Sequence, residues 1–144
     1  MIGIPVSALG LLLRGWAAGH LAKDRELATS GPYAYIRNPL YMGTLVAAFG
    51  IVLAAWNAWL AILFILVFLL VYLPAVELEE QHLRDIFDEY ANYAGRVNRF
   101  FPRGRYCLRP SFYSWALYRR NEEYKALLGW LVAIAWLGWK CARL

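Results

Sequence analysis

The sequence predicts an all-α, polytopic membrane protein with about four transmembrane helices. Hydrophobic residues make up 61% of its 144 residues, against about 45–50% in soluble domains. The apolar segments are long and separated by short polar ones, which is the pattern of membrane-spanning helices. The seven tryptophans suit the membrane interfaces. A chain of this length forms one domain, so we expect residues 1–144 to be a single membrane domain.

The first predicted helix covers residues 2–18, which are apolar apart from Ser7 and Arg14. It would be about 25 Å long, slightly less than a hydrocarbon core of about 30 Å. Arg14 either reaches the membrane surface or faces the protein interior, and we favour a structural role near the interface. No basic region or cleavage site marks a signal peptide, so we expect this helix to be retained.

A polar segment follows the first helix. Residues 20–28 carry four charged side chains, and residues 29–43 contain two glycines, two prolines and three tyrosines. Proline lacks an amide donor and disfavours helical geometry in the preceding residue, so residues 29–43 are not one regular helix. Irregular backbone at a membrane is tolerated where it is buried in protein or lines a wet cavity, which indicates a site. We expect His20 at a surface or interface rather than as a ligand.

Residues 40–75 are almost entirely apolar and as one helix would be about 54 Å long, too long for a bilayer. Asn57, between Trp56 and Trp59, marks the expected break, because indoles prefer the interface. We therefore predict a hairpin of two helices, over residues 40–55 and 58–76. Its two ends return to the same membrane side, which brings residues 29–43 close to Glu79 and Glu80.

We expect Pro74 to kink the second hairpin helix, which then continues as an amphipathic helix over residues 75–94. Its apolar residues recur at spacings of three and four and predict a packed stripe: Leu83, Ile86, Phe87, Tyr90, Tyr93 and Val97. Glu80 and Arg84 are spaced for an ordinary helix-surface pair. Glu79 stands in a carboxylate cluster where the apolar segment ends, and such a cluster needs a cation or water.

Residues 96–120 alternate arginines with aromatic residues and predict an interfacial segment against anionic headgroups. By the positive-inside rule this segment faces the cytoplasm. The net charge of +5 follows from this topology, so we expect no nucleic-acid partner. The last helix, with its apolar centre at residues 127–139, either spans the membrane or lies in the interface. We favour a span, which places both termini outside the cytoplasm.

The chain has few potential metal ligands besides carboxylates. Cys107 and Cys141 lie far apart in sequence, and only His20 and His82 are available to join them. Zinc sites need clustered ligands, so we expect no metal.

Two motifs stand out in the polar segments. The first is Arg37-Asn38-Pro39-Leu40-Tyr41-Met42-Gly43, and the second comprises Glu79, Glu80, Leu83, Phe87, Tyr93, Val97 and Pro102. Together they resemble the isoprenylcysteine carboxyl methyltransferase and phospholipid methyltransferase family. The resemblance covers residues 27–102, the core motif region. It implies an integral membrane enzyme. With the multi-pass pattern and the positive-inside rule above, we expect its active site to face the cytoplasm. The resemblance also implies transfer of a methyl group from S-adenosylmethionine to a lipophilic small molecule, a prenylcysteine-like carboxylate or a phospholipid amine. S-adenosylhomocysteine is then the product.

The resemblance also implies which residues contact the cofactor. Carried over by position, these are Leu27, Ala28, Tyr33, Asn38, Pro39, Leu40, Tyr41 and Glu79. Arg25 and Glu26 correspond by spacing alone, and we expect only backbone contacts from them.

Two departures from the family pattern bear on the chemistry. Asn38 replaces a histidine of many relatives and cannot titrate, so it is not a general base. Ala75 replaces the arginine that holds the substrate carboxylate in prenylcysteine enzymes, which disfavours that acceptor. Arg37 is the nearest candidate to bind an anionic group, with an ion pair to Glu79 or Glu80 as the alternative. An amine acceptor must lose a proton, for which Glu80 is the candidate, whereas a carboxylate or thiolate needs no base.

Two further functions are consistent with such a chain. One is a non-catalytic membrane scaffold or assembly protein, in which the polar residues form ion pairs and helix caps. The other is a small transporter or channel subunit, which we disfavour because Asn57 is the only polar residue expected along a pathway. The sequence does not indicate an oligomeric state.

Overall fold

The computed structural model describes residues 2–143 and confirms the all-α fold class. Seven α-helices are labelled in chain order. They are α1 (Gly3–Ala18), α2 (Pro39–Ala55), α3 (Ala58–Val67), α4 (Leu73–Ile86), α5 (Tyr90–Arg96), α6 (Trp115–Arg120) and α7 (Glu123–Ala142). A 3₁₀ turn covers Gly31–Ala34 and a π-helical turn covers Phe68–Tyr72. The irregular stretch before α2 is shorter than residues 29–43, because α2 already begins at Pro39.

Helices α1 and α2 pack with their backbones in contact. A Cβ added to Gly10 would lie 2.3 Å from the backbone nitrogen of Ala47. Ser7, between the glycines of α1, donates a 2.8 Å hydrogen bond to the carbonyl of Ala47. Trp130 of α7 donates a 2.7 Å hydrogen bond to the Ser7 hydroxyl. This close packing fixes the start of α2 against the end of α1, where the candidate site lies.

The predicted hairpin is confirmed. Asn57 caps α3, because its Oδ1 accepts hydrogen bonds from the amides of Trp59 at 2.9 Å and Leu60 at 3.3 Å. Trp56 adopts a left-handed conformation with φ of 46°. The turn reverses the chain between Ala55 and Ala58, so the ends of α2 and α4 that carry the two motifs lie on the same side.

The second hairpin helix is irregular near Pro74, as expected, and the irregularity takes the form of the π-helical turn just before α4. Proline has no amide to continue the regular hydrogen-bond series, and π turns commonly absorb such interruptions. The predicted continuation to residue 94 is wrong. The helix ends at Ile86, Phe87 is extended with φ of −126° and ψ of 109°, and α5 starts at Tyr90.

The break at Phe87 reorients α5 so that its aromatic side chains pack inward. Tyr90 and Tyr93 are each 1% exposed and form a buried cluster with Leu27 and Val97. Leu83 and Phe87 pack against this cluster. The predicted stripe therefore exists, except for Ile86, which is 42% exposed.

Within residues 2–143, two helices have the length and apolar composition to cross a membrane. They are the 29-residue segment Ala58–Ile86, which comprises α3, the π turn and α4, and the 20-residue α7. Helices α1 and α2 are apolar but shorter, at 16 and 17 residues. A four-span, multi-pass arrangement therefore stays a prediction for α1 and α2.

Arg14 faces the protein interior rather than the membrane surface. Its Nε and Nη2 donate to the two carboxylate oxygens of Glu123 at 2.9 and 2.6 Å, and its Nη1 donates to the Thr44 hydroxyl. Glu123 is only 7% exposed. The pair joins α1 to the start of α7.

Residues 97–114, which we call the strap, run back across the loop before α2. Five hydrogen bonds donated by backbone amides join it to that loop and to the end of α1. The amides of Arg37, Asn38, Tyr106 and Ser114 donate to the carbonyls of Asn98, Arg99, Ala34 and Gly19 respectively, and the amide of Arg109 donates to the Thr29 hydroxyl. Phe101 and Phe112 of the strap remain exposed, as expected of an interfacial segment.

The strap buries His20, so the expectation of a surface position is wrong. His20 is 9% exposed, and its Nδ1 lies 3.2 Å from the Ser30 hydroxyl. Tyr113 of the strap packs edge-on against the imidazole ring. Burial lowers the pKa of His20, because a charged imidazolium is disfavoured away from water.

Candidate functional site

A buried carboxylate joins the two sequence motifs. Glu80 of α4 is fully buried and accepts a 2.8 Å hydrogen bond from the Asn38 amide. Arg99 donates to both Glu80 oxygens, from Nη2 at 2.8 Å and from Nε at 3.2 Å. The Nε of Arg37 lies 3.6 Å from the same carboxylate. A buried charge is stable only when it is paired and hydrogen-bonded, and Glu80 meets both conditions.

The strap places Arg99 beside Glu80. Ile36 and Asn98 form a parallel bridge, and the Arg37 amide donates a 2.8 Å hydrogen bond to the Asn98 carbonyl. Arg99 also bonds to Glu77 at 2.8 Å. Hydrogen bonding to Glu80 raises the pKa of Arg99, which keeps it charged.

Sequence reasoning missed Arg99 because it grouped this residue with the surface arginines of residues 96–120. The only available signal was its position between Val97 and Pro102 of the second motif. The helix-surface pair of Glu80 with Arg84 does not form. Arg84 instead lies 6.0 Å from the centre of the Tyr90 ring.

Glu80, Arg99, Arg37 and Glu77 form the ion-pair cluster. A cavity of about 70 Å³ adjoins it, between the loop before α2, the start of α2, and helices α4 and α5. It is lined by Leu21, Lys23, Asp24, Glu26, Leu27, Ala28, Tyr33, Arg37, Asn38, Leu40, Tyr41, Glu79, Leu83, Phe87 and Tyr93. The lining therefore combines aromatic walls with separate acidic and basic side chains.

Nine of the twelve predicted site residues line this cavity: Glu26, Leu27, Ala28, Tyr33, Arg37, Asn38, Leu40, Tyr41 and Glu79. The other three lie elsewhere. Arg25 is exposed, Pro39 is buried at the start of α2, and Glu80 is enclosed in the ion-pair cluster. Glu80 therefore has no access to a molecule in the cavity.

Buried tyrosines stiffen the cavity wall. The Tyr93 hydroxyl donates a 2.6 Å hydrogen bond to the carbonyl of Tyr33, which ties α5 to the 3₁₀ turn. Burial raises the pKa of both phenols, so they stay neutral at physiological pH. Their part in the site is shape and hydrogen bonding rather than proton transfer.

A larger cleft of about 420 Å³ opens beside the cavity, between α1, α2 and the π turn with α4. Its lining comprises Arg14, Leu21, Lys23, Leu40, Tyr41, Thr44, Val71, Tyr72, Ala75 and Glu79. Five residues belong to both spaces: Leu21, Lys23, Leu40, Tyr41 and Glu79. Tyr41 and Tyr72 meet edge to face, with ring centres 5.9 Å apart. Molecules in the two spaces would meet at Tyr41 and Glu79.

Residues 2–143 contain no group of three or more His, Cys, Asp or Glu side chains arranged to hold a metal ion.

Comparison with known proteins gives a family match and three informative relatives. A family model described as phospholipid methyltransferase matches residues 6–90. The chain is 33% identical over 105 residues to the cobalt-zinc-cadmium resistance protein CzcN of Cupriavidus metallidurans, covering 72% of this chain and 47% of the relative. It is 38% identical over 106 residues to the nickel-cobalt-cadmium resistance protein NccN of Alcaligenes xylosoxydans xylosoxydans, covering 72% of this chain and 48% of the relative.

A third relative is phosphatidylethanolamine N-methyltransferase B of Dictyostelium discoideum, with 31% identity over 84 residues, covering 57% of this chain and 41% of the relative. The chain spans about half the length of the first two curated relatives that it matches. No solved structure matches it.

Proposed function

Because the chain belongs to the phospholipid methyltransferase family, we propose that it binds S-adenosylmethionine in the cavity and transfers the methyl group to a lipophilic acceptor in the adjoining cleft. One observation carries this proposal. Residues from the loop before α2, from α2 and from α4, widely separated in sequence, line a single cavity that opens beside a second space. Methyl transfer requires the methyl donor and the acceptor to lie close together and in line, and two adjoining spaces can hold them in that arrangement.

The chemistry of the cavity lining suits the proposed cofactor. Tyr33, Tyr41 and Phe87 offer aromatic walls for an adenine, and Glu79 offers an acceptor for ribose hydroxyls or an ammonium group. Arg37 offers a cation for the cofactor carboxylate. S-adenosylmethionine supplies a methyl group that is already activated, so the protein mainly aligns the reactants and excludes water.

The cavity must widen to admit a molecule of that size, because ligand sites typically measure roughly 300–1,000 Å³. Residues 23–26 are all exposed, and Lys23, Asp24 and Glu26 among them form the outer wall. An exposed contact of 3.2 Å between His82 and Asp24 holds this wall against α4. We propose that residues 23–26 move outward when the cofactor binds.

Glu80 is better suited to holding Asn38 and Arg99 in position than to accepting a proton from a substrate. Its oxygens already accept from Asn38 and Arg99, and it is fully buried. Glu79 lies at the boundary of the cavity and the cleft. If the acceptor is an amine, we assign the proton acceptor to Glu79.

We further propose that residues 1–144 form one multi-pass domain with the site on the cytoplasmic side. The arginines of the strap and of α6 support this orientation. The two cysteines test it, since Cys107 lies in the strap and the exposed Cys141 near the end of α7. A membrane-impermeant maleimide should label Cys141 in intact spheroplasts. It should label Cys107 only after the membrane has been permeabilised. Labelling of both without permeabilisation contradicts the orientation.

The proposed function is tested by titrating S-adenosylmethionine and S-adenosylhomocysteine calorimetrically into the detergent-solubilised protein. We expect saturable binding that weakens at least about tenfold in Glu79→Gln. Glu122→Gln is the matched control, because Glu122 is exposed and lines neither space. Absence of saturable binding to folded protein would overturn the proposal and favour the scaffold alternative.

The two metal-resistance relatives favour a second candidate function, because each matches 72% of this chain. We propose that the chain contributes to resistance against divalent transition metals. Expression in a metal-sensitive bacterium should raise tolerance to cobalt or cadmium. If Glu79→Gln loses this effect, resistance depends on the cofactor site. If the variant keeps it, resistance has another basis, and if wild type confers none, this candidate fails.

A further inference from the structure

A third space, which we call the aromatic pocket, lies between α1, the strap, α6 and α7 and measures about 360 Å³. Four aromatic side chains line it: Trp16, Tyr113, Trp115 and Tyr118. Among the residues that the structure describes, none lines both this pocket and the cavity or the cleft. The strap, α6 and α7 also lie beyond residues 6–90, which match the family model. The aromatic pocket is therefore separate from the candidate site.

Neighbouring rings in the aromatic pocket stand nearly perpendicular to one another. The rings of Tyr113 and Trp115 meet at 80° with centres 5.1 Å apart, and those of Trp115 and Tyr118 meet at 72° with centres 5.7 Å apart. A ring that turns its edge to a neighbour keeps its own faces free. The face of an aromatic ring carries partial negative charge, so several rings around one space attract an organic cation.

The charge at the pocket wall has the sign that a cation requires. Among the described residues that line the pocket, Glu123 is the only one with a charged side chain. It pairs with Arg14, so the pair as a whole has no net charge. Arg14 does not line the pocket, and the pair therefore presents its negative end there. The rings supply most of the attraction, and Glu123 favours a cation over an anion.

Hydrogen bonds to the end of α1 hold the aromatic side chains in place. The Ser114 amide donates a 2.9 Å hydrogen bond to the Gly19 carbonyl, and the Asn121 side chain donates to two further carbonyls at 2.9 and 3.0 Å. These contacts attach both ends of α6 to α1. A Cβ on Gly19 would lie 2.0 Å from the Tyr113 ring, so only glycine lets this ring pack there. A ligand therefore meets a pocket that is already ordered, which favours binding.

We propose that the aromatic pocket binds a quaternary ammonium group, with its alkyl groups against the ring faces and its charge toward Glu123. Such a group has no N–H donors, so it loses no hydrogen bonds when it enters a pocket lined mainly by rings. A primary ammonium would lose its hydrogen bonds to water and would gain few in return. This binding site does not depend on the proposed methyl transfer.

The test titrates three small probes calorimetrically into the protein in a nonionic detergent at constant ionic strength. The probes are choline, its uncharged isostere 3,3-dimethyl-1-butanol, and ethanolamine. We expect saturable binding of choline, and binding of the other two that is weaker by about fivefold or more. Equally tight binding of the isostere would show that the pocket selects an apolar group rather than a cation. Equally tight binding of ethanolamine would contradict a preference for quaternary ammonium.

Variants at Trp115 locate the binding. Trp115→Leu keeps an apolar side chain but removes the ring, and it should raise the Kd of choline about threefold or more. Trp115→Phe keeps a weaker ring and should cause a smaller loss. Trp59→Leu is the matched control, because Trp59 is also exposed but lies at the hairpin turn, outside the pocket. Thermal unfolding confirms that each variant is folded, and wild-type choline binding by folded Trp115→Leu overturns the proposal.

A fourth probe, dihexanoylphosphatidylcholine below its micellar concentration, distinguishes a lipid headgroup from a soluble cation. Binding tighter than that of choline, and weakened by Trp115→Leu, assigns the pocket to a lipid headgroup. Binding no tighter than that of choline assigns it to a soluble cation. If neither molecule binds to folded protein, the proposal fails.

Titration of S-adenosylhomocysteine on the same samples separates this proposal from the proposed function. Trp115→Leu should leave that binding unchanged, since Trp115 lines neither the cavity nor the cleft. Choline binding without S-adenosylhomocysteine binding overturns the proposed function alone. S-adenosylhomocysteine binding without binding of choline or the short-chain lipid overturns the aromatic pocket alone.

Discussion

The Asn38 amide donates a 2.8 Å hydrogen bond to Glu80, which joins the start of α2 to α4 across 42 residues of sequence. Both side chains are buried, and Arg99 and Arg37 lie against the same carboxylate. An asparagine suits this place because it donates to the carboxylate without adding a third positive charge. The contact fixes the cavity wall formed by Asn38 and Leu40.

Asn38→Asp should destabilise the protein by about 2–3 kcal/mol at pH 7, because a donor is replaced by a second carboxylate beside a buried one. Part of the loss should be recovered at lower pH, where one carboxyl binds a proton. Thermal unfolding in detergent measures both effects. Asn57→Asp is the matched control, since an exposed aspartate still caps α3; equal losses at the two positions would contradict this account.

Glu80→Gln should cost about 3–5 kcal/mol, because Arg99 and Arg37 lose the buried carboxylate that compensates their charge. The same unfolding experiment measures the loss. Glu77→Gln removes the second, more exposed partner of Arg99 and should leave the midpoint close to wild type, because exposed ion pairs contribute little. A similar loss of stability in both variants would show that the burial of Glu80 does not determine its contribution to stability.

Gly10→Ala should destabilise the packing of α1 on α2 by about 1–3 kcal/mol, because the added methyl group meets the backbone of Ala47. The matched substitution is Gly129→Ala in α7, where an added Cβ has no neighbour within 4 Å. That variant should be as stable as wild type or slightly more stable, since alanine favours helices. The prediction fails if the two alanine variants unfold at the same temperature.

Stability should fall as the pH drops below about 6.5, the unfolded-state pKa of histidine. Burial lowers the folded-state pKa of His20, so the unfolded chain binds the proton more tightly and acid favours unfolding. The loss is complete once the pH passes below the folded-state pKa. His20→Gln should remove this part of the pH dependence, whereas His82→Gln should retain it. Thermal unfolding midpoints of wild type and the two variants, measured between pH 5 and 8, test this prediction.

His82→Gln should instead speed S-adenosylhomocysteine association, because it removes the contact that holds residues 23–26 against α4. An exposed pair contributes about 0.2–1 kcal/mol, which corresponds to about a 1.4- to 5-fold faster rate. Stopped-flow fluorescence measures the rate. Asp85→Asn, at an exposed α4 position outside the cavity, is the control. Slower association in His82→Gln would contradict outward movement of this segment.

Features set by local sequence were predictable. The membrane character, the hairpin at Asn57 and the family followed from apolar length, tryptophan placement and two motifs, and all three are confirmed. The end of α4 at Ile86 was missed because the apolar spacing continues through Phe87 into α5. The contacts of Arg14 with Glu123 and of Arg99 with Glu80 were missed because they depend on how distant segments pack, which periodicity does not encode.

The 29-residue helix from Ala58 to Ile86 is longer than a bilayer requires. At 1.5 Å per residue it extends about 43 Å, roughly 13 Å more than a typical hydrocarbon core. Glu79 and Glu80 lie toward the polar end of this helix, which we expect to leave the hydrocarbon, so the height of the candidate site above the acyl chains should depend on membrane thickness. Thicker, sterol-rich bilayers would draw this part toward the lipid, and thinner ones would lift it away. For the proposed methyl transfer, we therefore expect turnover to vary with lipid composition through hydrophobic mismatch.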